Sequence, residues 1–231
     1  MVTFKLHDMK ANLIIFFILS LSGCQIDNYQ APEITLSGNI LDAETNDLVE
    51  SGGINAGTIV KLYEDNSIQP LLFETVPEGK FANSKVFAGN YKLEAEGPFT
   101  LAQEGLIDLK VTRNEDIDIK VIPNVRLTIG VQEQDAASAT ITLSYEKVAE
   151  NQSLVDYGLV WSEYKNPNVY SFSGGSIIQQ NAAATDLTSG EKSFVVPNLK
   201  PNTTYYVRGT ARTQNPGNYY NYSSQVMLKT Q

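Results

Sequence analysis

Residues 199–212 read LKPNTTYYVRGTAR, and their second half alternates between two kinds of side chain. The alternation over 205–212 has a period of two, which predicts a β-strand with one buried face. The side chains predicted to face inward are Tyr205, Val207, Gly209 and Ala211. Those predicted to face outward are Tyr206, Arg208 and Arg212.

Similar strand patterns extend over the chain from residue 34 onward, separated by Gly, Pro and Asn turns. A first series is predicted at 34–42, 58–63, 71–76, 91–95 and 117–122. A second series is predicted at 125–131, 139–145, 157–162, 192–196, 205–212 and 224–229, with a short edge strand at 169–172. Residues 174–190 are interpreted as a loop, and the Gly-Gly pairs at 52–53 and 174–175 as flexible loop positions. No segment keeps a 3.6-residue period, so the prediction is an all-β protein of two tandem β-sandwiches.

Charge also divides the chain in two, and Pro123-Asn124 is the predicted joint because proline cannot donate to a central ladder. Residues 33–123 contain 7 Lys/Arg and 16 Asp/Glu, a net charge of −9, whereas residues 125–231 contain 8 of each and are neutral. Nine of the twelve tyrosines lie after the joint. We therefore predict domains at 34–123 and 124–231, and an acidic first domain that excludes nucleic acid as a partner.

The amino-terminal segment predicts export. Residues 13–19 are an apolar run preceded by lysines and followed by Leu21-Ser22-Gly23-Cys24, which is typical of a secretory signal over 1–23. A bilayer-spanning helix needs roughly 20 apolar residues, which this run does not reach. Leu-Ser-Gly-Cys resembles the lipobox of bacterial lipoproteins, which implies lipidation of Cys24 and a tether over 24–33. The alternative is an ordinary signal peptide with a chance cysteine.

Two further stretches resemble known domains. Residues 199–207 resemble the end of a fibronectin type III domain, in which Leu199, Pro201 and Tyr205 would form a tyrosine corner. The first domain resembles the carboxypeptidase-regulatory or transthyretin-like sandwiches. The stretches that carry this second resemblance are residues 37–42, 60–63, 77–81 and 88–93.

Residues 13–231 together resemble a family of uncharacterised two-domain lipoproteins from polysaccharide-utilisation loci of gut-dwelling Gram-negative bacteria. The stretches at 52–55 and 95–99 add to that resemblance. It implies a lipid-anchored protein on the outer membrane, exposed at the cell surface beside a glycan importer. It implies no catalytic residues.

Catalytic chemistry has little support in the residues. The one histidine, His7, lies in the predicted signal segment, so the mature chain would lack the histidine of a triad or a metal site. The pairs Asp116/Asp118 and Glu94/Glu96 follow a strand period, which favours a solvated sheet face over glycoside hydrolysis or Ca²⁺ binding. We predict no catalytic residue, no metal and no cofactor.

Aromatic residues of the second domain are the candidates for binding a polysaccharide or oligosaccharide. Residues 215–222 read NPGNYYNY and are rich in tyrosine and asparagine, in a loop position that immunoglobulin-like folds use for recognition. Trp161 is core if Tyr157 and Leu159 face inward, and joins an exposed patch if Gly158 and Val160 do. The candidates are Asn218, Tyr219, Tyr220, Asn221, Tyr222, Trp161, Tyr206 and Arg208, with a looser group at Tyr164, Tyr170 and Phe172. The alternative interpretation of the loop is the start of the last strand.

The sequence thus predicts a non-catalytic surface lipoprotein that assists glycan capture, either by direct contact or by packing on importer subunits. One alternative is a spacer or protein-interaction module without sugar binding. The other is a glycoside hydrolase, which needs two acidic residues converging in a cleft.

Overall fold

A computed structural model describes residues 31–53, 56–65, 67–180 and 188–231. Every regular element in these ranges is a β-strand, which confirms the all-β prediction, and no helix long and apolar enough to span a bilayer occurs in them. The predicted signal segment, Cys24 and the tether up to residue 30 lie outside the described residues. Lipidation therefore stays a prediction.

Eight strands build the first sandwich. They are β1 (Ile34–Asp42), β2 (Ile59–Glu64), β3 (Leu71–Glu74), β4 (Lys80–Val86), β5 (Gly89–Glu96), β6 (Phe99–Leu101), β7 (Ile107–Val111) and β8 (Glu115–Pro123). One sheet has the order β4-β1-β8-β6 and the other β3-β2-β5-β7. Their inward side chains, including Leu36, Ile40, Leu62 and Leu93, form one hydrophobic cluster. Strands β4, β6 and β7 were not among the predicted strands, although β7 (Ile107–Val111) does alternate apolar and polar residues.

The first and last strands of this sandwich lie side by side and run in the same direction. Leu36 pairs with Glu115 at one end of the β1–β8 ladder and Asp42 with Val121 at the other. Gly38 permits the close approach, because a Cβ there would collide with the carbonyl oxygen of Ile117. Both strands therefore end on the same side of the first sandwich, the side from which the chain enters the second.

The second sandwich has a three-stranded and a larger sheet. Its strands are β9 (Val125–Gln134), β10 (Ala139–Lys147), β11 (Leu154–Ser162), β12 (Gly175–Gln180), β13 (Ser189–Val196), β14 (Thr204–Thr213), β15 (Asn221–Tyr222) and β16 (Val226–Lys229). One sheet is β13-β10-β9, and the other is β12-β11-β14 with β15 and β16 both pairing β14. A three-stranded sheet packed against a sheet of four or more strands is typical of immunoglobulin-like sandwiches.

Two local predictions in the second half are wrong. Residues 174–190 are not a continuous loop, because Gly175–Gln180 pairs with β11 along its whole length. Residues 169–172 are not an edge strand, since this stretch contributes only an isolated bridge between Asn168 and Ser171. A polar strand at a sheet edge buries little apolar surface, so its sequence resembles a loop.

The two sandwiches meet with almost no connecting segment. Strand β8 ends at Pro123 and β9 begins at Val125, and residues 32–231 form one compact unit. Separate hydrophobic clusters lie on the two sides of this junction, one up to Val121 and the other from Val125. The larger sheet of the second sandwich is buried on both faces at β11. Leu159 points into the second core and Val160 points away from it, and both are fully buried.

Candidate functional site

The tyrosine corner forms as the resemblance implies. The Tyr205 hydroxyl accepts a hydrogen bond from the backbone N–H of Lys200 at 3.1 Å, and Tyr205 is 2% exposed. Leu199 is buried in the second core, whereas Pro201 lies in the exposed turn before β14. These residues fix the entry of β14, and hence the positions of the side chains that follow it.

Arg208 was predicted to point into solvent, and that prediction is wrong. Its side chain does leave the core of the second sandwich, but it is 0% exposed because the first sandwich covers it. Its guanidinium donates to the Ser51 carbonyl (2.9 Å), the Ser223 carbonyl (3.0 Å) and Glu50 Oε2 (3.0 Å). The ring of Tyr222 stacks on it, with 4.6 Å from guanidinium carbon to ring centroid. Arg208 is therefore a buried link between the sandwiches.

Trp161 belongs to the second core, which settles the two alternatives left by the sequence. It is 6% exposed and packs with Tyr157 and Leu159. Gly174 and Gly175 lie against its indole, and a Cβ on Gly175 would stand 2.5 Å from Trp161 Cζ2. This glycine pair thus makes room for the ring, a packing role that the interpretation as a flexible loop missed. Burial removes Trp161 from any glycan surface.

Of three other candidates, two lie away from an open surface. Asn221 is 2% exposed and bridges the sandwiches, donating to the Pro98 carbonyl and accepting from the Val125 N–H. Tyr222 is 5% exposed, and burial raises its pKa above the ordinary tyrosine value. Tyr206 is half-buried beside Met227 on the paired strand β16. The prediction put all three on a recognition surface, and the packing between the sandwiches leaves Asn221 and Tyr222 inaccessible.

Asn218, Tyr219, Tyr220 and, from the looser group, Tyr170 converge in a cleft between the two sandwiches, whereas Tyr164 and Phe172 do not line it. This cleft has a volume of about 290 Å³. The second sandwich contributes Gly217, Asn218, Tyr219, Tyr220 and Tyr170, and the first contributes Gly53, Ala56, Gly57, Ile59 and Glu74. We call this the tyrosine cleft. Tyr170 is 68% exposed at its rim, while Tyr219 and Tyr220 are half-buried in its wall.

The loop that carries the two wall tyrosines is held by a single asparagine. Asn215 accepts from the backbone N–H of Tyr219 at 2.8 Å and donates to the Tyr219 carbonyl at 3.0 Å. Asn218 adopts the left-handed region with φ 52°, which asparagine tolerates better than most residues. A Cβ at Gly217 would collide with the Tyr219 ring. The Asn-Pro-Gly-Asn sequence therefore sets a fixed turn that presents the rings to the cleft.

Carboxylates outside the cleft orient both tyrosines. The Tyr219 hydroxyl donates to Glu96 Oε1 at 2.7 Å, and the Tyr220 hydroxyl donates to Asp156 Oδ2 at 3.2 Å. Burial and the bond to Glu96 raise the pKa of Tyr219 to about 12. The pKa of Glu96 is lowered by hydrogen bonds from Lys61 and Tyr219. Because the hydroxyls are engaged, the rings themselves are what the cleft offers to a ligand.

A second, larger groove of about 620 Å³ also runs between the sandwiches. Arg126 crosses it and donates to Asp42 at 2.6 and 3.1 Å, to Glu44 at 2.6 Å and to Glu146 at 3.4 Å. Burial raises the pKa of Asp42, but hydrogen bonds from Arg126 and the backbone outweigh it and the net shift is downward. The charge of Arg126 is thus neutralised by carboxylates of the protein itself. Its bonds to Asp42 and Glu44 join the second sandwich to the first across this groove.

The described residues offer little support for a metal site or an acid–base site. The described residues contain no group of three or more His, Cys, Asp or Glu placed to hold a metal ion. Asp116 and Asp118 lie on β8 and accept from Ser37 and Asn39 of β1. The only carboxylate among the described lining residues of the tyrosine cleft is Glu74.

Sequence reasoning missed the contribution of the first sandwich to this cleft. Ile59 and Glu74 are cross-strand neighbours on β2 and β3, and nothing in their local sequence distinguishes them from other outward-facing residues. Tyr170 was noted only as part of a loose aromatic group, since its segment was predicted as a strand. Aromatic residues in a polar loop are the one signal that could have selected it.

Solved structures similar to this chain include proteins from Bacteroides and Parabacteroides species. A DUF3823 family protein from Bacteroides uniformis superimposes with a TM-score of 0.74 at 16% identity, covering 87% of this chain and 100% of its own. A "putative carbohydrate binding protein" from the same organism gives 0.72 at 23% identity, over 86% and 99%. A DUF3823 family protein from Parabacteroides merdae gives 0.69 at 15%, over 87% and 100%.

These similarities establish the fold alone, because all three identities are below 25%. No family model matches the chain, and no curated protein matches it. The similarity covers both sandwiches in each of the three structures, so the arrangement of two joined sandwiches is one that solved proteins also adopt.

Proposed function

We propose that this protein is a non-catalytic, lipid-anchored surface protein that binds a glycan in the tyrosine cleft and assists its capture by an outer-membrane importer. The observation that carries the proposal is the convergence of three tyrosines, one amide and one carboxylate at an open cleft between two rigid sandwiches. Tyrosine rings pack on the C–H faces of sugars at low entropic cost, and amides and carboxylates pair with sugar hydroxyls.

Two other observations support this assignment. One similar structure is called a putative carbohydrate binding protein and has the same two-sandwich fold. The lipobox-like Leu-Ser-Gly-Cys sequence favours a location at the cell envelope, where glycan capture takes place. Membership of the lipoprotein family from polysaccharide-utilisation loci, with its carboxypeptidase-regulatory-like and fibronectin-like domains, forms part of the same proposal.

Affinity electrophoresis on a panel of polysaccharides tests direct binding. Tyr170→Ala removes the exposed ring at the rim and should weaken binding about tenfold, the effect of losing a ring that a ligand buries. Tyr164→Ala is the matched control, because Tyr164 is 75% exposed on the same sandwich and does not line the cleft. Absence of retardation on every polysaccharide, or equal losses in the two variants, would exclude the cleft as the glycan site.

A protein-interaction role is a second candidate, favoured by a different surface. Strand β3 lies at the edge of its sheet and exposes Leu71 (42%) and Leu72 (61%), and Ile68 just before it is 93% exposed. Exposed apolar groups at a sheet edge are suited to pairing with another chain. Pull-down with importer subunits distinguishes this role, since Leu72→Lys should abolish capture while leaving glycan retardation unchanged.

A further inference from the structure

The tyrosine cleft has an unbalanced charge. Glu74 is the one charged side chain among its described lining residues, and that residue is exposed. No ion pair or hydrogen bond engages the Glu74 carboxylate within the described part of the chain. On the basis of the proposed function, we infer that the cleft selects uncharged glycan chains and discriminates against chains that carry carboxylate or sulfate groups.

Two cations bonded to residues that hold the cleft tyrosines are already paired with carboxylates, which lowers the charge that they offer to an anionic ligand. Lys61 is paired with Glu96, the same residue that accepts from Tyr219. Arg212 donates through Nε and Nη2 to Asp156 Oδ2 at 3.2 and 2.8 Å. Drawing Arg212 away would leave the buried Asp156 carboxylate without its partner, which costs more than a surface contact returns.

The free polar groups of the cleft match a hydroxyl instead. Asn218 Oδ1 accepts from Arg212 at 2.8 Å, which leaves the Asn218 amide N–H groups available as donors at the cleft. Glu74 supplies an acceptor. Sugar hydroxyls both accept and donate, so a sugar offers partners of the right kind to both groups. A carboxylate or sulfate can accept from Asn218 but faces Glu74 with a like charge.

The charge of the whole first sandwich acts in the same direction. The net charge of −9 over residues 33–123 creates a negative potential that slows the approach of polyanions, and this effect weakens with salt. Two like charges 4 Å apart in water correspond to about a fivefold change in affinity. We therefore expect at least about fivefold discrimination for each ligand charge placed beside Glu74.

The test compares one polymer in two charge states. The neutral polysaccharide that the protein retards most strongly is oxidised at its primary hydroxyls to carboxylates, and both forms are titrated calorimetrically against the full chain at low and at high salt. The oxidised form should bind at least about fivefold more weakly, and the difference should narrow with salt. Glu74→Gln should reduce the discrimination severalfold, whereas Glu33→Gln, an equal charge change just before β1, should leave it intact.

The outcomes separate the inference from the function on which it rests. If no polysaccharide of either charge binds, the proposed function fails and the inference falls with it. If the oxidised polymer binds as tightly as the neutral one, glycan binding stands and charge selection is refuted. If Glu33→Gln relaxes discrimination as much as Glu74→Gln, net charge accounts for the selection, and the role given to the cleft carboxylate is wrong.

Discussion

Removing the guanidinium of Arg208 is the sharpest perturbation of the link between the sandwiches. Arg208→Ala deletes three hydrogen bonds of 2.9–3.0 Å and the contact with Tyr222. It leaves the carbonyls of Ser51 and Ser223 buried without that donor, and it leaves Glu50, whose side chain is 18% exposed, without a counter-charge. Breaking a buried pair from one side costs about 3–5 kcal/mol, which is the loss of unfolding free energy that we expect.

Urea unfolding measures this loss with two probes. The single tryptophan, Trp161, lies in the second core and reports on that sandwich, whereas far-ultraviolet circular dichroism reports on all strands. If the interface couples the sandwiches, the two transitions coincide in the wild-type protein and separate in Arg208→Ala. Arg113→Ala is the control, because its side chain is 84% exposed and its loss should cost under about 0.5 kcal/mol.

The pH dependence of the variant provides an independent check. Burial raises the pKa of Glu50 above its ordinary value even with Arg208 present. A raised folded-state pKa means that the ionised form opposes folding, so the penalty of Arg208→Ala should be greatest near neutral pH and shrink as the pH falls through that pKa. A loss below about 1 kcal/mol, with coincident transitions at every pH, would refute the account of Arg208 as the coupling residue.

Three further predictions concern individual side chains. Tyr205→Phe should cost about 1 kcal/mol in urea unfolding by removing the corner hydrogen bond, with Tyr164→Phe near zero; equal values would contradict the corner's role. Gly175→Ala should cost about 1–3 kcal/mol and alter tryptophan emission, because its Cβ presses on Trp161; unchanged emission would argue against that packing. Stability should fall between about pH 10 and pH 12 as the unfolded state loses the Tyr219 proton first, and Tyr219→Phe should lessen that fall in urea titrations; an unchanged decline would contradict the raised pKa.

Strand positions were predictable where one face meets a core and the other meets water. Strand β1 was predicted at its observed bounds, since Leu36, Ile40 and their neighbours alternate with polar residues. The tyrosine corner was predicted through the resemblance to fibronectin type III domains, which a short contiguous stretch of turn and strand suffices to carry. Strand β12 was not, because a polar edge strand has no buried face strong enough to show a period.

The candidate site was predictable only from its second-sandwich half. Alternation along β14 correctly predicted that Tyr205 points into the second core and that Arg208 points away from it. Such a pattern refers to one core only, so it does not indicate what packs against the other face of the strand. Arg208 was therefore expected in water and lies under the first sandwich. Glu74 and Tyr170 line the same cleft although they lie far apart in the chain, and no local sequence pattern indicates that they do.

Because β1 and β8 run parallel, both strands point toward the junction between the sandwiches. Strand β1 advances nine residues toward the junction, and at about 3.3 Å per residue its first and last Cα atoms stand roughly 26 Å apart. Ile34 consequently lies at the end of β1 opposite Asp42, the residue that bonds Arg126 of the second sandwich. A support attached upstream of Ile34 would therefore join the first sandwich at the end of this strand that points away from the second.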